Sequence, residues 1–170
     1  MVNFGLLALG VSALQQALYT IGYQGAQISD LIDALRAAGV RCLVDVREAP
    51  ISRKRDFAKS RLAAHLQDAQ IGYRHVRALG NPKAGRDAAR AGDVETYRTI
   101  FGQHMESLKA REAVQQIAEL AATERACLLC LERDPRQCHR SIVADHITAL
   151  NGQETKHLFA DTASDQGKLF

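Results

Sequence analysis

The sequence predicts an α/β fold: a single three-layer domain with a mostly parallel sheet of about five strands flanked by helices. Three observations carry this expectation. Short apolar, β-rich runs recur at residues 19–22, 41–46, 73–76, 126–131 and 155–158. Amphipathic helical stretches separate them, the alternation expected of parallel strands joined by helical crossovers. The chain's 170 residues, 46% hydrophobic and 24% charged, suffice for one core without disulfide or metal staples.

Taken in order, residues 4–18 are apolar but lack a basic start and are interrupted by Gln15 and Gln16. A targeting peptide needs that basic start, and a membrane span needs about 20 apolar residues. Residues 1–18 are therefore expected to be a short helical extension, and no membrane association is predicted. The domain proper is expected over 19–159, with a loosely ordered polar tail at 160–170. After the first strand, Ser29 is placed to cap a helix with the apolar stripe Leu31, Ile32 and Leu35, and Gly39 to stop it. Ser60 is placed to cap a second helix, with Leu62, Ala63 and Leu66 facing inward. Beyond the third strand, Leu79-Gly80-Asn81-Pro82 predicts a tight turn into a flexible basic loop. Two helices are then expected, at 94–107 and 111–123, the second with Val114, Ile117 and Leu120 as its stripe. A last helix is expected from Cys138 or Ser141 to Asn151-Gly152, ahead of the final strand.

The net charge of +3 says little about partners, but its distribution is informative. Basic residues gather at Arg47, Arg53, Lys54 and Arg55, at Lys83, Arg86 and Arg90, and at Arg133, Arg136 and Arg140. The four cysteines, Cys42, Cys127, Cys130 and Cys138, lie in apolar surroundings unlike a secreted disulfide framework, which points to a reducing cytoplasm. Four tyrosines, five phenylalanines and no tryptophan leave no aromatic ladder for stacking on a nucleic-acid strand.

Two polar segments leave the carboxyl ends of predicted strands, where ligands collect in open α/β sheets. In the first, Asp45 and Arg47 share one side by the period of two, so they can pair with each other or with a ligand. Arg47 offers a planar donor fork suited to carboxylate or phosphate; Pro50 would stiffen the turn that aims Ser52 and Arg53. In the second, Cys130 closes the strand and Cys138 opens the next helix. That helix start, with Arg140 near it, is a natural anion site and would favour a thiolate at Cys138; Cys138 and His139 could equally plug the loop into the core. Glu132 and Asp45 would form a carboxylate pair for acid–base work if their strands are neighbours. Tyr73 and His75 share a face of the third strand. No metal site is predicted, because Cys127 and Cys130, three apart on a strand, face opposite sides. Cys130 and Arg136 match a phosphatase-loop spacing, but Glu132 and Asp134 would repel a phosphate there.

The chain from Tyr19 to Leu158 resembles the domain-of-unknown-function family numbered 488. The motifs that carry this are Thr20-Ile21-Gly22; Asp45-Val46-Arg47 with Pro50 and Ser52; Tyr73 with His75 and Leu79-Gly80; and Cys130-Leu131-Glu132, Asp134-Pro135 and Cys138-His139-Arg140. Gln24 and Asn81 depart from the family's usual residues. The resemblance implies a Rossmann-like fold and an intracellular location, and it carries no settled activity or cofactor. Val44-Asp45-Val46-Arg47-Glu48, with Leu129-Cys130 and Arg140-Ser141, also looks like pieces of rhodanese domains, a likeness that implies a sulfur-carrying Cys130. Three functions follow: binding of a phosphate-bearing nucleotide or nucleic acid, with or without acid–base catalysis; thiol or sulfur-transfer chemistry at Cys130 or Cys138; and a non-catalytic interaction domain.

Overall fold

Each of the five β-rich runs forms a strand: β1 Leu18–Gly22, β2 Cys42–Asp45, β3 Gly72–His75, β4 Ala126–Cys130 and β5 Thr155–Phe159. The computed structural model describes residues 16–160, so the expected N-terminal helix and C-terminal tail fall almost wholly outside the described residues. The strands make one sheet in the order β3-β2-β4-β1-β5, and every pairing is parallel. Among the described residues six α-helices accompany it: α1 Ile28–Ala37, α2 Lys59–Asp68, α3 Lys83–Arg90, α4 Val94–Met105, α5 Leu108–Thr123 and α6 His139–Asn151. The expected three-layer, Rossmann-like α/β architecture is what the chain adopts. Among the described residues, no helix is long and apolar enough to cross a membrane.

Alternation along the strands divides the core into two layers. Ile21, Leu43, Cys127 and Leu129 pack with Leu31 and Leu35 of α1 and Leu62 and Leu66 of α2. Val44, Val46, Leu128 and Cys130 pack on the other face with Phe101 and Met105 of α4, Val114 and Ile117 of α5, and Val143 and Ile147 of α6. β2 and β4 are buried on both faces, which explains their unbroken apolar runs. Burying each such leucine or valine contributes about 1.5–3 kcal/mol.

Helix starts depart from expectation in three places. Gln27, not Ser29, is the N-cap of α1, and Asp30 in the first turn reaches back to it, its Oδ2 accepting the N–H of Gln27 at 2.8 Å. α2 begins after Ala58 rather than at Ser60, because a 3-10 turn at Arg55–Phe57 feeds straight into it and Lys59 N–H donates to Pro50 O at 3.0 Å. The segment expected to be a flexible basic loop is α3. It has no apolar stripe and buries only Gly85, but Arg86 ties it to Glu48 at 2.7 Å and to Asn81 O at 2.8 Å, and Asp87 pairs with Lys83 and Arg90 along its own surface.

Sheet order places the site. The chain leaves β2 toward β3 and leaves the neighbouring β4 in the opposite direction, toward β5. Loops that diverge from adjacent strands open a crevice at their carboxyl ends, so the two polar segments meet there, at the same rim of the sheet.

Candidate functional site

On the α1/α2 side of the rim stands Asp45, with no exposed surface. Arg47 curls back onto it, Nε donating to Oδ1 at 2.8 Å and Nη2 to Oδ2 at 2.5 Å. Its Nη1 donates to the Tyr23 hydroxyl at 3.0 Å and to Phe57 O at 2.9 Å. Tyr73 donates its hydroxyl to Asp45 Oδ2 at 2.7 Å, and His75 Nε2 donates to Arg47 O at 2.8 Å. Burial alone would pull the guanidinium's pKa down, but its hydrogen bonds and its ion pair with Asp45 raise it above the ordinary arginine value. Burial first, and then Asp45, push the Tyr73 phenol up. Of the two roles expected for Arg47, pairing with Asp45 or facing a ligand, its fork takes the first and is occupied by the protein itself. Ser52 turns inward along its own loop, its Oγ accepting Lys54 N–H at 3.1 Å, while Arg53 is exposed.

Arg140 is also placed differently from the expectation of an anion-facing charge. It has no exposed surface; Nε donates to Thr20 Oγ1 at 3.2 Å, Nη1 to Glu132 O and Nη2 to Arg133 O at 3.0 Å. Among the described residues it makes no close ion pair, although its charge helps to lower the Asp134 carboxyl. Its role in the fold is to hold the loop after β4 against β1. Gly22 makes the same crossing feasible: a Cβ there would lie 1.8 Å from Glu132 O, closer than any non-bonded contact allows.

The opposite face of the rim holds a sulfur and nitrogen cluster. Cys130 ends β4 facing α4–α6. A 3-10 turn at Pro135–Gln137, fastened by Ser141 Oγ donating to Pro135 O at 2.5 Å, brings the start of α6 back over it. Cys130 Sγ then lies 3.6 Å from His139 Nδ1 and donates to Glu132 Oε2 at 3.3 Å. The ligand-capable atoms of Cys130, Cys138 and His139 all lie within 4.8 Å of one another. His139 Nε2 is 2.8 Å from Val46 O. A carbonyl only accepts, so the hydrogen sits on Nε2 and the Nδ1 lone pair faces the sulfur. Cys130, Cys138 and His139 are 4%, 5% and 7% exposed, while Glu132 is only half-buried. Burial lowers His139, but hydrogen bonding with Cys138 and the Val46 carbonyl outweighs it, so its pKa ends above the usual imidazole value. Burial chiefly, then Cys130, drives the Cys138 thiol well above its ordinary range.

A family model described as a domain of unknown function, DUF488, matches residues 27–147. The chain belongs to the DUF488 family. The match runs from the start of α1 into α6 and takes in both rim segments. No curated protein and no solved structure matches the chain.

In this DUF488 domain the two expected carboxylates do not pair: Asp45 faces the α1/α2 layer with Tyr23 and Phe57, whereas Glu132 accepts from Cys130 on the other side. Cys127 and Cys130 point to opposite faces, as their spacing predicts, yet Cys130 finds different partners in Cys138 and His139. Tyr97 and Phe101 of α4 carried no sequence signal beyond helical apolar spacing. Phe101 meets the His139 ring edge-on at 5.3 Å, and Tyr97 is close enough that Cys138, Glu132 and Cys130, after burial, push its phenol up. A broad open cleft of about 690 Å³ between β5 and the loop after β4 contains none of the cluster. There Arg136 is tied to Asp134, Ser141 to Pro135 O and His157 to Thr20.

Proposed function

We propose that this domain performs thiol chemistry, with Cys130 as nucleophile and His139 as the group that takes its proton. The observation that supports this is the relay from Cys130 Sγ to His139 Nδ1 at 3.6 Å, with Nε2 anchored on Val46 O at 2.8 Å. A nucleophile in reach of a base that a third group orients is the common requirement of covalent catalysis. In the step, the thiol hydrogen turns from Glu132 to His139 Nδ1, the proton passes there, and sulfur bonds to an electrophilic atom. The bond from that atom to its leaving group breaks, and the leaving group takes the proton from Nδ1. Glu132 accepts the resting thiol's hydrogen bond and steadies the imidazolium that forms. The cluster's burial favours a small electrophile. A phosphate-bearing ligand draws no support from Arg47 or Arg140, whose guanidinium groups are buried and bonded to protein acceptors.

Iodoacetamide labelling mapped by mass spectrometry tests this. Cys130 should alkylate faster than Cys42 and Cys127, and His139→Ala should slow it by about 10²-fold, the lower end of what a positioned base contributes. Equal, slow labelling of all four cysteines would refute the proposal.

A further inference from the structure

We infer that Cys130, Cys138 and His139 form a binding site for a soft divalent cation of the zinc class, with Glu132 beside it as fourth donor or as hydrogen-bond partner. This goes beyond the thiol reading and stands without it. The argument is geometric. Zinc bonds sulfur at about 2.3 Å and imidazole nitrogen at roughly 2.0–2.1 Å, so in a tetrahedral site a sulfur and a nitrogen ligand stand about 3.6 Å apart and two sulfurs about 3.8 Å. Cys130 Sγ and His139 Nδ1 are 3.6 Å apart, and all three donors fall within 4.8 Å of one another. The pairs that include Cys138 therefore need to close by at most about 1 Å to match that geometry.

The surroundings agree. A metal-binding histidine usually donates its other ring N–H to a carbonyl or carboxylate, which fixes the tautomer and raises its basicity; His139 does this through Nε2 on Val46 O at 2.8 Å. Thiolate, thiolate and neutral imidazole are the donors that zinc prefers over the oxygen sets favoured by magnesium or calcium. Glu132 Oε2, 3.3 Å from Cys130 Sγ, is near enough to enter the coordination sphere or to hold a bound water. Binding replaces two S–H bonds by two metal–sulfur bonds and releases two protons. It also takes up the lone pair that Cys130 would use as a nucleophile, so the metal and an electrophile compete for the same sulfur.

The test uses the full chain, stripped with a chelator and titrated with Zn²⁺ against a chromogenic competitor, and in parallel with Co²⁺ to read thiolate charge-transfer absorption. One equivalent should bind, with the Co²⁺ thiolate band present. Cys138→Ser should abolish both signals, and Cys127→Ser and Cys42→Ser should leave them unchanged. Glu132→Gln should weaken Zn²⁺ by about 10–100-fold, as loss of a supporting partner does. Bound Zn²⁺ should also protect Cys130 from iodoacetamide. Absence of the band, or undiminished binding in Cys138→Ser with circular dichroism showing a folded chain, overturns the inference. Selective alkylation of Cys130 without zinc binding defeats the metal site alone, whereas zinc binding with slow, unselective alkylation defeats the thiol reading alone.

Discussion

Arg47 and Arg140 are two sealed cations with different company. Arg47 faces a carboxylate, so Arg47→Ala would leave the Asp45 charge buried and uncompensated, a loss of roughly 3–5 kcal/mol; a urea melt should show that drop in midpoint. Arg140 donates its hydrogen bonds to two carbonyls and a hydroxyl. Removing it strands those acceptors at about 1–3 kcal/mol for each one left buried, and the β4–α6 loop should loosen with it. The pairing of Asp45 with Arg47 was legible from the strand period of two. Tyr23 and Phe57 O, which complete the arginine's shell, were not, because they arrive from separate loops and depend on tertiary packing. Cys130 and Cys138 are likewise eight residues apart in the chain, and their meeting depends on a turn that Asp134 and Ser141 fold back, which no periodicity encodes.

Element by element, strands and the long amphipathic helices were readable because burial writes its period into the sequence: α5 shows Val114, Ile117 and Leu120 on its buried side. α3 was not readable, since its tie to the fold is electrostatic. Glu48 receives both Arg77 and Arg86 at 2.7 Å, and these hydrogen bonds hold its carboxyl below the usual glutamate range. A carboxyl depressed in the folded state stabilises it above the unfolded pKa, and that contribution disappears as pH falls through the lower, folded value. Amide protection factors across residues 83–90, taken against the intrinsic exchange rate at each pH, should therefore fall on acidification ahead of those of α5. Glu48→Gln should give the same loss of protection at neutral pH; protection unchanged in both experiments would show that α3 is held by something else.

At the scale of the molecule, the strand order makes the rim a meeting place: two motifs 85 residues apart were expected together because both leave carboxyl ends of strands, and β2 lying beside β4 is what brings them into contact. Which face each side chain would take beyond the last strand residue was not legible, and that divided the expected single site into a salt-bridged wall and a sulfur cluster. The bare α-carbon of residue 22 has a consequence for the whole arrangement, since the peptide of Glu132 passes through the space a methyl group would fill. Gly22→Ala should force that peptide outward, destabilise the fold by about 1–3 kcal/mol as overpacking does, and blunt sulfur reactivity without touching any reactive atom. A chain with a methyl group at this position should still fold, with the loop after β4 displaced and Cys130 alkylated no faster than Cys42 and Cys127.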